Sequence, residues 1–138
     1  MLGEKMYLRN LEEKEKIGFL ELAYGIANSD NDFSQVEIDM LLLFREEMQI
    51  SEEKYQIQKM TLEDSMDIFK ESSINNKKIV VLEMLGIVLA DEIIAIEEED
   101  ILNKMIVKLN LDSDFLEKSK KTVLNLKNAY KDLNELFL

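Results

Sequence analysis

Apolar residues recur along most of the chain at the three- and four-residue spacing of a helix that is buried on one side. In the first such segment they are Ile17, Leu20, Ala23, Tyr24 and Ala27. This spacing predicts an amphipathic helix. Asn10, followed three residues later by Glu13, forms a capping-box pattern and predicts that the helix starts there.

The same spacing and further capping residues predict the middle helices. Ser34, with Glu37 three places on, precedes the apolar stripe Met40, Leu41, Phe44 and Met48. Ser51 and Thr61 predict the starts of two shorter helices. Residues 79–90 are apolar at nearly every position and predict a helix buried on all sides, after a polar loop at 72–78. Another helix is expected over about 97–109.

A long last helix is expected after Asp112, which is a capping residue. Its apolar residues alternate steps of three and four: Val123, Leu126, Tyr130, Leu133 and Phe137. Phe137 and Leu138 either pack back on the domain or form an interaction surface. No segment shows the period-two alternation of a strand. The sequence therefore predicts an all-α fold of about seven helices in one domain covering residues 1–138.

An internal repeat becomes visible when the chain is shifted by 61 positions. Gly25 then meets Gly86, acidic residues meet acidic residues at several places, and the apolar stripe of one helix meets that of another. Ser51 meets Asp112, so that one capping residue falls on another. We therefore expect two copies of a helix, acidic turn, helix and cap unit, over about 16–58 and 77–119.

The composition excludes several classes of site. The chain has no cysteine and no histidine. It therefore lacks disulfides, thiolate zinc sites, cysteine nucleophiles and the usual proton shuttle of neutral pH. Every Ser-His or Cys-His mechanism is excluded as well, and the sequence offers no catalytic residues. We expect a protein that is not an enzyme.

The charge limits the partners. Seventeen basic and 29 acidic residues give a net charge of −12. Such a surface repels nucleic acid and anionic lipid, and it suits cations or basic proteins. No apolar run is long enough to span a bilayer, and the first residues lack signal-peptide features. These features predict a cytoplasmic protein that is not an integral membrane protein; its oligomeric state stays open.

One short motif carries a family resemblance. The junction from Ala27 to Glu37 resembles the pattern A-x-x-D-G-x-I-S-x-x-E of the tellurite-resistance TerB-like family. It matches at Ala27, Asp30, Ser34 and Glu37, with Phe33 at the apolar position and Asn31 in place of the glycine. In the second copy the matching residues are Asp91, Ile94 and Glu98.

The resemblance implies a compact helical domain that acts through protein partners in stress response or in tellurite or envelope defence. It implies no enzymatic activity. Cation binding has been proposed for such acidic domains, so a divalent-cation binder is the alternative function.

The candidate ligands for Ca²⁺ or Mg²⁺ are Asp30, Asp32, Ser34, Glu37, Asp91 and Glu98. Asp30, Asp32 and Ser34 stand at alternate positions, like the first ligands of an EF-hand. An EF-hand also needs a glycine at its sixth position and a glutamate at its twelfth, where this loop has Gln35 and Leu41. The favoured interpretation is a turn in which Ser34 and Glu37 cap the next helix.

Glu83 stands inside the apolar run and is the other acidic residue of interest. A buried carboxylate with a raised pKa would be a catalytic candidate. No second acid-base group lies in local register with it. The favoured interpretation is a carboxylate that reaches a polar partner or solvent.

Overall fold

The computed structural model describes residues 7–28, 35–89 and 96–138, the side chain of Val36 excepted. These residues form a 3₁₀ turn, Leu8–Asn10, and six α-helices. The helices are α1 (Glu13–Ala27), α2 (Gln35–Met48), α3 (Leu62–Asp67), α4 (Ile74–Val88), α5 (Ile96–Lys108) and α6 (Ser113–Glu135). None of the described segments forms a strand, which confirms the all-α prediction.

The number of helices differs by one from the expected seven or so. The short helix predicted after Ser51 is absent, because residues 52–54 form a turn and residues 55–61 have no regular secondary structure. The Ser51 hydroxyl still accepts a hydrogen bond from the Lys54 amide, at 3.3 Å. The capping residue therefore closes a single turn and no helix follows it.

The starts of two other helices also differ from the prediction. Asn10 lies in the 3₁₀ turn, and the capping box of α1 is formed by Glu12 and Glu15. The Glu12 amide donates to Glu15 Oε1 at 2.8 Å, so the pattern is shifted by two residues. The segment predicted as a polar loop before α4 is largely helical, because Ser73 caps Ile74 onward.

The caps predicted at Thr61 and Asp112 are confirmed. Thr61 Oγ1 accepts from the Asp64 amide at 3.0 Å, and Asp112 Oδ1 accepts from the Asp114 amide at 3.1 Å. Each bond satisfies an amide that has no partner within its own helix. The remaining predicted cap, Ser34, lies outside the described residues.

The core is built around α1 and α4. Helix α1 packs against α2, α3 and α4, whereas α4 packs against α5, α6 and the 3₁₀ turn. Phe19 of α1 and Phe44 of α2 are fully buried and meet edge to face, with ring centroids 5.0 Å apart. The run from Ile79 to Leu89 is mostly buried, as its apolar sequence predicts.

Two glycines allow α3 to lie close to α1. A Cβ atom on Gly18 would stand 2.9 Å from Ile68 Cγ2, and one on Gly25 would stand 2.5 Å from Leu62 Cδ2. The glycines are seven residues apart, so both face the same side of α1. Their lack of a side chain sets the distance between α1 and the short helix α3.

The backbone of the two halves follows the same offset of 61 residues. Helices α1 and α4 each have 15 residues, and both their first and their last residues are 61 apart. Each helix ends with the same pair of bonds: the amide of Asn28 reaches the carbonyls of Tyr24 and Ile26, and the amide of Leu89 reaches those of Leu85 and Ile87.

The ends of α2 and α5 repeat the offset. Gln49 and Asn110 have φ angles of 59° and 55°, in the left-handed region that non-glycine residues seldom adopt. The amide of the following residue donates to the carbonyl five residues before it. Ile50 donates to Arg45 and Leu111 donates to Ile106, both at 2.9 Å. This is the Schellman pattern, in which a left-handed residue closes a helix.

Helix α6 is long, and its two halves have different surroundings. Leu116, Ser119 and Val123 are buried, and the helix packs mainly on α4. Every residue from 128 to 138 is exposed. None of the described helices combines the length and apolar character needed to cross a bilayer.

Candidate functional site

The acidic loops lie mostly beyond what the structure describes. Of the six candidate ligands, Asp30, Asp32, Ser34 and Asp91 are outside the described residues. Glu37 and Glu98 are described, and they lie in the first turns of α2 and α5.

Glu37 and Glu98 are buried carboxylates at positions 61 residues apart, with exposed fractions of 4% and 6%. The N-terminus of a helix favours negative charge, which suits both positions. Among the residues that the structure describes, no three acidic side chains come together as a metal site.

Another buried carboxylate, Glu21 in α1, holds the irregular segment after α2. Its Oε2 atom accepts from the Tyr55 hydroxyl and, at 2.7 Å, from the Gln58 amide, whereas Oε1 accepts from the Met60 amide at 3.0 Å. Burial and the hydrogen bond to Glu21 raise the pKa of Tyr55 to about 12. Arg45 supports the same segment by donating to the Tyr55 carbonyl at 3.0 Å. These contacts give Glu21 a structural role.

Glu15 is also a buried carboxylate, and it joins the first turns of α1 and α4. It accepts from the Ser72 hydroxyl, from Asn76 Nδ2 at 2.9 Å and from the Glu12 amide. Because these donors occupy both oxygens, Glu15 is suited to holding two helix starts together and poorly suited to proton transfer.

Glu83 differs from these satisfied glutamates. Its side chain is 1% exposed, and its Oε2 atom has no hydrogen-bond partner among the described residues. Burial, followed by the nearby negative charge of Glu47, raises the pKa of Glu83 to about 8. The expectation that this carboxylate reaches a polar partner or solvent is therefore wrong for Oε2.

Glu83 is not reached by the cavities that the described residues form around α3, α5 and the starts of α1, α4 and α6. Neither Glu83 nor Glu47 lines any of the cavities described in this section. A substrate has to come within hydrogen-bond distance of a general acid, directly or through one water. The pair can store a proton inside the fold, but these cavities offer no path to it.

The largest of these cavities is a groove between α3 and α5, with a volume of about 760 Å³. Its apolar walls come from Leu62, Met66, Ile101 and Val107, and its remaining residues are Thr61, Glu63, Asn103, Lys104 and Lys108. Met66 is fully buried at the base, whereas Val107 is 80% exposed. We refer to this feature as the α3–α5 groove.

One side of the groove is fixed by Lys108. Its Nζ atom donates to the Glu63 carbonyl at 3.2 Å and pairs with Asp67 Oδ1 at 2.8 Å. Hydrogen bonds from Lys108 and then Lys70 hold the pKa of Asp67 below its ordinary value. These contacts link α3 to α5 along one side of the groove.

Two smaller cavities are more polar. One, of about 340 Å³, lies beside the Glu15 cluster between the starts of α1 and α4. The other, of about 440 Å³, lies at the start of α6. Lys78 there lies over the Phe115 ring, with Nζ 5.4 Å from the ring centroid. Neither brings together acidic or nucleophilic groups in a catalytic arrangement.

The sequence interpretation missed the groove, Glu21 and Glu15. A groove is built from residues distant in the chain and leaves no local motif. The available signals were the spacing of Gly18 and Gly25, which marks a close helix contact, and two glutamates within the apolar pattern of α1.

Comparisons with known proteins found no relative of this chain. No family model, no curated protein and no solved structure matches it.

Proposed function

We propose that this chain is a non-enzymatic, TerB-like helical module that docks protein partners in the cytoplasm, in stress response or in tellurite or envelope defence. The observation that supports docking is the α3–α5 groove, an apolar depression on a chain whose net charge is −12. Exposed apolar concavities with a polar rim are typical of sites that bind apolar side chains of a partner.

The groove suits a segment that inserts a few apolar side chains. Leu62, Met66 and Ile101 offer walls at the base, and Val107 extends the apolar surface to the rim. The methionine side chain can adapt to different shapes, which suits a docking site. Lys104, which is exposed, lines the same surface, and a lysine stem can cover apolar surface while its ammonium group stays in water.

We further propose that the two halves of the domain arose by duplication, as in the TerB-like resemblance. The supporting observations are the equal lengths of α1 and α4, the shared 61-residue offset of their ends, and the matching left-handed residues Gln49 and Asn110. A single coincidence of this kind is common among helical proteins. Agreement at three helix ends with the same offset favours a common origin.

The docking proposal can be tested with a matched pair of variants. Val107→Glu places a charge in the groove, whereas Ile96→Glu places one outside it on the same helix. The two side chains are similarly exposed, at 80% and 77%. Each variant would be used as bait in cells of the source organism, and captured proteins would be tested again in purified form.

A partner that binds the wild type and Ile96→Glu, but binds Val107→Glu at least tenfold more weakly, would support the groove as the docking site. Equal binding to all three proteins would show that the groove is not used. The stress setting is tested separately, by asking whether loss of the gene raises tellurite sensitivity and whether Val107→Glu fails to restore resistance.

A divalent-cation binder is the second candidate function, and one observation favours it. Glu37 and Glu98 are both buried although acidic, and each follows one of the two acidic loops. A cation that binds only the folded state raises its stability by about 2.7 kcal/mol at a hundredfold excess over Kd. General screening of surface charge would act with any salt.

The test of this candidate is thermal melting in CaCl₂ or MgCl₂ against NaCl of the same ionic strength. We expect no cation-specific shift, because the loop lacks the sixth-position glycine and twelfth-position glutamate of an EF-hand. A rise of several degrees in Ca²⁺ that disappears in Asp30→Asn would favour the cation binder instead.

A further inference from the structure

The second half of α6 carries an apolar face that is partly buried at Leu126 and exposed from Tyr130 onward. We refer to residues 126–138 as the α6 tail. Leu126, Tyr130 and Leu133 continue the stripe on the helix, and Phe137 continues the same spacing in the turn that follows Glu135, so the steps are four, three and four. Such steps are the a and d positions of a heptad repeat, which form the seam of a coiled coil.

The part of the same stripe that precedes the tail is buried in the domain. Leu116, Ser119 and Val123 hold the preceding a and d positions, and all three are buried. Lys127 Nζ donates to the Leu89 carbonyl at the end of α4, and among the described residues no hydrogen bond from a later residue of α6 to the domain body is seen. Beyond Lys127, Tyr130 is 49% exposed, Leu133 53% and Phe137 89%. The seam therefore continues from a helix contact into solvent.

The exposed stripe is complementary to itself when two tails run antiparallel. Antiparallel coiled coils pair an a position with a d position of the other helix. If Tyr130 faces the partner's Leu133, then Leu126 faces the partner's Phe137, and the two-fold axis repeats both contacts. Four apolar layers result. Ala129 and Leu136 occupy the flanking g positions, so each Leu136 can pack beside the partner's Ala129.

The distribution of charge favours the antiparallel direction. Residues 113–138 carry five lysines and four acidic residues, a net charge of +1, so the preceding 112 residues carry −13. Parallel tails would bring two strongly acidic bodies side by side. Antiparallel tails place the bodies at opposite ends of the pair, where their repulsion is weaker because it falls with distance and is screened by salt.

The area is sufficient for a weak dimer. Complete burial of the exposed parts of Tyr130, Leu133, Leu136 and Phe137 would remove at most about 600 Å² per copy from water. Two copies together reach at most about 1,200 Å², the lower end of the range for specific protein interfaces. An isologous two-fold contact of this kind is the commonest way in which soluble chains assemble.

We propose that the α6 tails of two copies pair as a short antiparallel coiled coil and make the chain a reversible homodimer. Tyr130 and Leu133 form the central layers. The bodies stay apart, and both α3–α5 grooves remain outside the contact, so the dimer presents two docking sites. The dimer itself does not depend on the docking function.

The first test is the mass in solution, measured by sedimentation equilibrium from about 10 to about 300 µM, a span in which weak contacts of this size become visible. The wild type should move from 16.1 kDa toward twice that mass as concentration rises. Leu133→Glu places a charge in a central layer and should remain monomeric. Leu42→Glu is the control, because Leu42 lies on α2 with a similar exposed fraction, 52%.

A wild type that stays monomeric throughout this range, or a dimer that survives Leu133→Glu, would overturn the proposal. Circular dichroism of Leu133→Glu shows whether the helix persists. If the variant loses α6, Leu136→Glu repeats the test in a flanking layer.

The direction of the helices is tested with cysteines, which the natural chain lacks. Tyr130→Cys and Leu133→Cys are mixed under mild oxidation, with one of them isotope-labelled. Antiparallel tails place the two introduced thiols in one layer and give mainly the mixed disulfide dimer, with one copy of each variant. Disulfide dimers made mainly of two copies of the same variant would indicate parallel tails and overturn the proposed arrangement.

Discussion

Replacing Glu83 by glutamine should stabilise the protein, and the gain should depend on pH. Glu83 is buried in α4, Oε2 lacks a hydrogen-bond partner among the described residues, and its pKa is raised to about 8. In the unfolded chain the same carboxyl has a pKa near 4.5. Between these values the folded state holds a proton that the unfolded state has released. The raised pKa of Glu83 therefore costs no free energy of unfolding below pH 4.5, where both states are protonated. The free energy of unfolding falls as pH rises from 4.5 to about 8.

The size of the effect follows from this difference. Each pH unit between the two pKa values costs about 1.4 kcal/mol of folding free energy. Glutamine has a similar shape and no ionisable proton, so Glu83→Gln escapes this cost. The advantage of the variant should therefore grow by up to about 4 kcal/mol between about pH 5 and about pH 8. Glutamine also changes the hydrogen bonding at this position, which shifts the unfolding free energy by the same amount at every pH. Such a shift leaves the change of the difference with pH unaltered.

Urea unfolding followed by circular dichroism at intervals from about pH 5 to about pH 8.5 measures this slope. The range avoids the sequence isoelectric point, about 4.5, at which solubility is lowest. Other carboxyl groups also titrate, so the quantity of interest is the difference between variant and wild type at each pH. Glu53→Gln removes the same charge from an exposed site and serves as the control.

A difference between Glu83→Gln and wild type that stays constant across this pH range would refute the reasoning. The contribution of Glu47 has its own test. Because the charge of Glu47 helps to raise the pKa of Glu83, Glu83→Gln should gain less in a Glu47→Gln background. An equal gain in both backgrounds would mean that burial alone is responsible.

Three further changes test the packing and the caps by urea unfolding. Glu21→Gln should cost about 3 kcal/mol, because an amide cannot accept all three bonds that the buried carboxylate accepts; stability equal to wild type would contradict its structural role. Gly18→Ala should cost about 1 kcal/mol or more despite better helix propensity, and Ile68→Ala should remove that extra cost, since the new methyl group would meet Ile68. Thr61→Ala should cost about 1 kcal/mol and Thr61→Ser little, because the hydroxyl caps Asp64.

The sequence predicted the long helices because their signals are local. Apolar periodicity located α1, α2, α5 and α6, and the apolar run located the buried part of α4. Helix starts were harder, because several polar residues compete for the cap. Asn10 and Glu12 both have an acidic residue three places on, and the one that caps α1 is Glu12.

Other features could not be predicted because they depend on contacts between distant residues. Residues 52–58 look helical by composition, yet Glu21 and Arg45 hold that segment in an irregular path. The α3–α5 groove requires α3 to lie close against α1, which two glycines permit but do not require. Of the predicted cation ligands, the structure describes only Glu37 and Glu98, so the metal hypothesis stays a prediction.

The two halves differ at the position of the buried Glu21, and the difference follows from the local structure of each half. Glu21 in α1 corresponds to Leu82 in α4. The segment that packs near Glu21 is irregular, so its amides at Gln58 and Met60 need an acceptor from outside, and Glu21 provides it. The corresponding residues of the second half lie in α6, where the helix satisfies its own amides. An acceptor would have no partner there, and a leucine that packs against the core is the better residue at that position.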